Sequence, residues 1–393
     1  MPAKSFFEFF CPVKIVSGRK ALSNLPYELT QLGAKKPLIV TDKGVVGANL
    51  LTKVVSAMND ANMAIGAVFE DTPVDSSDKV ANQVAALYKS AGCDAFVALG
   101  GGSVIDTAKS ANIVISEKID DLLKFQGVDR IKATLKPLIV IPTTSGTGSE
   151  VTNVAVVYNV DAKVKMAFMS GKLCPNVAIL DPQMTLTLPP KMTAATGMDA
   201  LTHAIEAVFG LQRNPVSDAF AFAAIKLIKK NLIEAVKNGA NEEARMGMAD
   251  GALLAGIAFS NSMVAIVHAL AHATGATAHV PHGVANSILL PYGMEYNIEK
   301  AAEQIASVAP LLTSDDLSGL DVKARARKAV EAVRTMTATL NQLCGLPLKL
   351  SQAGVKESQL ETIAKVAIND GALTYTPEEC TKKEALEVLK KAF

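Results

Sequence analysis

The 393-residue sequence contains five histidines, all between His203 and His282. Asp199 and His203 stand four residues apart in Gly197-Met-Asp-Ala-Leu-Thr-His-Ala-Ile-Glu206, a spacing that puts carboxylate and imidazole on one face of a helix. His268 and His272 repeat the spacing on a second predicted helix, and Val280-Pro281-His282-Gly283 is a predicted loop presenting another imidazole, with His279 just before it. Either pair alone is better explained as a local hydrogen-bonded contact. The gathering of every histidine into one stretch points instead to a metal site. One carboxylate with imidazoles and no thiolate suits Fe(II), Zn(II) or Mn(II). Not all five can be ligands if a position must stay open for substrate.

A second chemistry is suggested by glycine- and hydroxyl-rich turns. Leu99-Gly100-Gly101-Gly102-Ser103 follows a buried-type strand and opens a helix. Such a turn lets backbone approach a ligand, with helix N–H groups suited to a pyrophosphate. Its plainer reading is a tight strand-to-helix connection. Pro142-Thr143-Thr144-Ser145-Gly146-Thr147-Gly148-Ser149-Glu150 follows another strand, and its hydroxyls could meet phosphate, ribose or their own backbone. Asp42, after a third strand, reads equally as a helix N-cap or as an acceptor for a ribose 2′-hydroxyl that would favour NAD over NADP. Neither a Walker A pattern nor a full GxGxxG is present.

The elements that must position these groups fall into two halves. The runs 37–41, 95–99, 137–141 and 177–180 are short, β-branched and bounded by Gly, Pro and Asp, and alternate with helical patterns over 78–91 and 104–114. That predicts a largely parallel sheet covered on both faces. Residues 151–158 and 164–169 predict a hairpin. After Leu188-Pro189-Pro190, segments rich in Ala, Leu and Met predict helices over 194–209, 217–238, 241–261, 266–277, 301–309, 322–343 and 381–392. The expected division is an α/β dinucleotide-binding domain, residues 1–188, and an all-helical metal and substrate domain, residues 189–393. Two domains also suit the length, at about 150 residues each.

Apolar residues at 49% and charged residues at 20% exclude a disordered or fibrous chain. Lys plus Arg, 39, nearly cancels Asp plus Glu, 38. No excess positive field is left to gather nucleic acid or an anionic membrane. Five scattered cysteines without a CxxC pair fit a reduced, cytoplasmic setting. Phe6-Phe7-Glu8-Phe9-Phe10 is too short and too interrupted for a signal peptide, and is a plausible contact between copies.

Taken in order, Gly100-Gly-Gly-Ser-Val-Ile-Asp106, the stretch from Pro142 to Thr152, Gly197 to Glu206, and His268-Ala-Leu-Ala-His272 followed by Pro281-His282-Gly283 resemble the iron-containing, or group III, alcohol dehydrogenases over essentially the whole chain. The resemblance implies a Rossmann-like α/β domain joined to a helical domain, the dehydroquinate synthase-like fold. It implies metal ligands at Asp199, His203, His268 and His282, with Fe(II) foremost, and His272 near the substrate as the catalytic histidine outside the ligand set. NAD would be held by Gly101, Gly102, Ser103, Thr143, Thr144 and Thr152, and its ribose by Lys165. Val154, where diol-specific relatives tend to carry Asn, and Phe259 would line the substrate pocket, favouring a simple primary alcohol or aldehyde. The family's Asn-Pro near the adenine is Thr72-Pro73 here, and its C-terminal Asn-Pro-Arg is Tyr375-Thr376-Pro377. A homodimer or larger assembly is implied. The alternatives are a zinc-dependent glycerol or diol dehydrogenase, a dehydroquinate synthase type, and a non-catalytic nucleotide-binding relative.

Overall fold

A computed structural model describes residues 6–162 and 164–393. The chain divides into two compact units, one spanning Phe10–Thr187 and the other Leu188–Phe393 together with the segment that ends at Phe9.

The first unit contains strands β1 (Lys14–Ser17), β2 (Leu38–Val40), β3 (Ala67–Phe69), β4 (Phe96–Gly100), β5 (Gly127–Val128), β6 (Leu138–Pro142), β7 (Val154–Asn159), β8 (Val164–Met169) and β9 (Val177–Leu180). Its helices are α1 (Leu25–Gln31), α2 (Lys43–Gly47), α3 (Leu50–Asp60), α4 (Asp78–Ser90) and α5 (Gly102–Glu117). Six strands form an all-parallel sheet in the order β1-β9-β6-β4-β2-β3. The inner strands are buried along their whole length, as near-continuous apolar runs require when helices cover both faces. β7 and β8 make the expected antiparallel hairpin, with Val154 opposite Met169, in a small sheet that includes β5. Before the hairpin, Gly148, at φ +61°, turns the chain and its carbonyl accepts from the Val151 N–H.

The second unit is helical: α6 (Pro190–Phe209), α7 (Pro215–Lys237), α8 (Glu242–Ser260), α9 (Ile266–Ala278), α10 (His282–Leu312), α11 (Val322–Cys344), α12 (Leu360–Ala367) and α13 (Lys382–Ala392). Phe9 stacks on Phe220 of α7 at 5.6 Å. α6 runs through the middle of this core and is buried on nearly every face over its last four turns, so Asp199 and His203 are inside the protein by construction. α10 corrects the expectation of a loop at 280–283. Proline sets φ −56° at the N-cap Pro281, and the helix begins at His282 itself. It continues past Pro291 to a break at Ala301, after which lies the helix expected from residue 301. No helix among the described residues is long and apolar enough to cross a membrane.

Candidate functional site

Three helices of the second unit bring the chemistry together. Asp199 lies on α6, His268 on α9 and His282 at the first residue of α10, and one donor atom from each lies within 4.8 Å of the others. The Nε2 atoms of His282 and His268 are 3.4 Å and 3.9 Å from Asp199 Oδ1. Asp199 and His268 are almost wholly buried, while the His282 side chain is 38% exposed. An anionic oxygen and two imidazole nitrogens converging at this separation fit a borderline divalent ion. His203, the fourth ligand implied by the resemblance, stacks its ring on His268 at 4.4 Å and on Phe259 at 4.3 Å, and is outside the converging group. His279 is the left-handed C-cap of α9 and has no place in the cluster.

Two residues without an assigned role hold these histidines. α9 begins at Ala265 with no side-chain cap, and Glu206 of α6 supplies one: its Oε1 accepts from the Val267 N–H at 2.7 Å, and its Oε2 meets His268 Nδ1 at 2.5 Å. A carboxyl oxygen at a helix N-terminus satisfies one of its orphan N–H donors. Burial pushes Glu206 up to about 8 and holds His268, also crowded by His203, His282 and His272, well below the usual imidazole range. With Nδ1 engaged, His268 presents Nε2 to Asp199. Asp370, in the turn before Gly371, takes His272 Nδ1 at 2.9 Å. Burial works against the Asp370 carboxylate, but the hydrogen bond and charge of His272 outweigh it and hold its pKa below the usual value. The His272 ring stacks on that of His282 at 5.2 Å.

Gly283 sets the distance between α6 and α10. A Cβ there would lie 2.5 Å from the Ala195 carbonyl oxygen and 2.9 Å from its carbon, and backbone cannot rotate away. Gly283→Ala is therefore expected to push the first turn of α10, with His282, off α6. Overpacking of this kind costs about 1–3 kcal/mol, so the urea midpoint should fall together with metal affinity. A variant matching the parent in both would show that this contact does not position His282.

In the first unit, Gly101 is the N-cap of α5, and a Cβ on it would touch Thr144 Oγ1 at 3.2 Å, while one on Gly102 would touch Thr147 at 2.9 Å. The two glycine-bearing turns thus face each other, joined by the Thr143 N–H donating to Gly100 O at 3.2 Å. Ser103 Oγ accepts from the Asp75 N–H, and Lys165 pairs with Asp75 at 3.2 Å. Asp42 is the N-cap of α2, accepting from the Val45 N–H at 2.9 Å. Thr152 is turned inward: its carbonyl and hydroxyl, with the Val154 carbonyl, receive the ammonium of Lys109 at 2.7, 3.1 and 3.0 Å.

Around that buried lysine, desolvation pulls Lys109 down to about 8 and pushes Asp106 up to about 6 and Glu150 up to about 7. Glu150 starts from 4.5 when exposed. Folded chains thus hold a proton that unfolded chains release between those values, and stability falls as pH rises from 4.5 to 7. Glu150→Gln is expected to gain on the parent by on the order of 1–3 kcal/mol between pH 5 and pH 8. Urea midpoints at the two pH values check this; an unchanged difference between the proteins would count against it.

The sequence matches the family described as Iron-containing alcohol dehydrogenase over residues 12–182, and the Fe-containing alcohol dehydrogenase family, C-terminal, over residues 193–393. It is 37% identical to an NAD-dependent methanol dehydrogenase of Bacillus methanolicus over 98% of this chain and 99% of that one. It is 36% identical to a 1,3-propanediol dehydrogenase of Klebsiella pneumoniae, again over 98% and 99%. The crystal structure of a 1,3-propanediol oxidoreductase superposes with a TM-score of 0.95 at 36% identity, covering 99% of this chain and 100% of that one. With both halves matched in order and relatives aligned end to end, the chain belongs to the iron-containing alcohol dehydrogenase family and is an oxidoreductase of the alcohol dehydrogenase type.

Proposed function

We propose that this oxidoreductase is NAD-dependent, holds Fe(II), and interconverts a small primary alcohol and its aldehyde. The observation that carries the reading is the convergence of Asp199, His268 and His282 within 4.8 Å. These three would hold the ion, with His203 approaching from beside His268. When bound, the divalent ion supplies Lewis acidity to the carbinol or carbonyl oxygen, and the nicotinamide ring accepts or returns hydride.

Everything else is work for the chain's own side chains. Glu206 keeps His268 turned with Nε2 toward Asp199. His272 is the proton carrier: Asp370 engages Nδ1, which leaves Nε2 to exchange a proton, and a side chain 44% exposed has water to exchange it with. Gly101, Gly102 and Ser103 would offer the diphosphate the N–H groups that open α5, beside Thr143 and Thr144. Lys165 and Asp42 would meet ribose; Asp42 caps α2 through Oδ1, and its charge disfavours a 2′-phosphate. Thr152 would stand beside the cofactor, its hydroxyl accepting from the Lys109 ammonium. Phe259 stacked on His203 supports a short apolar substrate. Similarity to a 1,3-propanediol dehydrogenase supports a second reading with a diol as substrate. Cysteines present as free thiols support a reducing cytoplasm, and exposed Phe6, Phe7 and Phe10 support assembly into a dimer or larger oligomer.

The test is NADH oxidation with a panel of short aldehydes and hydroxyaldehydes, using protein stripped of metal and refilled anaerobically with Fe(II), Zn(II) or Mn(II). Turnover that requires one ion names it, and the preferred aldehyde separates simple alcohol from diol. No turnover with any combination would refute the proposal.

A further inference from the structure

We propose that Asn286 is a positioning residue for the metal donors, an inference that rests on the metal reading above. Asn286 is fully buried on α10, one turn beyond His282. Its amide Nδ2 donates to Asp199 Oδ1 at 2.7 Å and lies 3.0 Å from His282 Nε2 and 3.2 Å from His268 Nε2. One nitrogen thus touches the converging atom of all three helices.

The chemistry fixes which end of the carboxamide points inward. Carboxylate oxygen and lone-pair-bearing imidazole nitrogens are acceptors, so an inward Oδ1 would set an oxygen against three lone pairs. With Nδ2 inward, Oδ1 is buried and makes no hydrogen bond. A buried carbonyl without a partner is unfavourable, and nothing at that end of the side chain offsets it. What the residue contributes is at the other end, where Nδ2 donates to the Asp199 carboxylate and holds that oxygen beside the two imidazole nitrogens. Glu206 completes the arrangement from the far side of His268, because engaging Nδ1 turns Nε2 toward the amide. The shortest contact falls on a carboxylate oxygen, which has lone pairs to spare, so Asp199 can accept from Asn286 and face an ion together, whereas each imidazole Nε2 has one lone pair, and an ion bound there takes the place of its longer contact with the amide.

The experiment measures Zn(II) affinity by competition with a chromogenic chelator, and the visible spectrum after Co(II) loading, on the full chain and on Asn286→Leu. Leucine keeps the shape of asparagine and removes only its hydrogen bonding. Supporting groups of this kind are worth about 10- to 100-fold in metal affinity, and that loss is expected with an unchanged far-UV circular dichroism spectrum and shifted Co(II) bands. Binding within twofold of the parent, with the same Co(II) spectrum, would overturn the proposal and leave Asn286 as packing. If leucine does not fold, Asn286→Ser against Asn286→Ala makes the same distinction. Serine keeps a donor and should bind several-fold more tightly than alanine; equal affinities would overturn the proposal. Failure of the metal reading looks different: the parent would bind no equivalent of Zn(II), or Asp199→Asn would bind as the parent does.

Discussion

Asp199→Asn is expected to lose bound ion and turnover together. Asparagine has the shape of aspartate, and the position is almost fully buried on α6, so packing is preserved while the anionic member of the converging group becomes neutral. What remains is the imidazoles of His268 and His282, the first held well below the range in which it would carry charge. A metal ion supplies several kcal/mol of charge stabilisation to such chemistry, and each 1.4 kcal/mol is tenfold in rate, so kcat should fall by roughly a thousandfold or more. Metal content after anaerobic loading should fall well below one equivalent. Reading both on the same sample matters, because a variant that kept its ion but lost turnover would make Asp199 a substrate group and not a ligand. Retention of both would remove Asp199 from the site altogether.

The parts of this site that were legible in the sequence are those encoded locally. Spacing of four residues states which side chains share a helix face, and it brought Asp199, His268 and His272 to the right helices. It says nothing about ring direction, which is why His203, on the same face as Asp199, stands against Phe259 and His268 and outside the converging group. Glu206 lies 62 residues from His268, and Asp370 98 residues from His272. No periodicity reports such partners; only the packing of α6 and α9 on α10 and the path of the C-terminal turn create them. His282 was expected on a loop because Pro-His-Gly has turn composition, yet proline suits a helix start and glycine suits the contact with Ala195. Burial of α10 overrode the local signal.

The same contrast holds in the α/β unit. Strands β2, β4, β6 and β9 were legible because a sheet covered on both faces leaves a continuous apolar run. β1, β3 and β5 are short and partly exposed, so they leave no continuous buried apolar run. Thr152 shows what spacing does not report: its carbonyl and hydroxyl receive the buried ammonium of Lys109, 43 residues away.

His272→Ala should separate proton transfer from metal binding. His272 shares α9 with His268 and stacks on His282, but its donor atoms are not in the converging group, and its Nδ1 is taken by Asp370. Removing it takes away an exposed histidine whose Nδ1 is held by a carboxylate outside the converging group. Positioned acid–base groups contribute about 10²- to 10⁴-fold, and kcat is expected to fall within that range while bound ion stays at the parent's level. Asp370→Asn gives the companion measurement. It leaves the ring in place and weakens the hold on Nδ1, so kcat should fall less than in His272→Ala, again at full metal content. Loss of the ion in His272→Ala would make His272 a ligand. The pairing with Asp370 argues against that outcome, because it engages Nδ1 of a side chain that is 44% exposed.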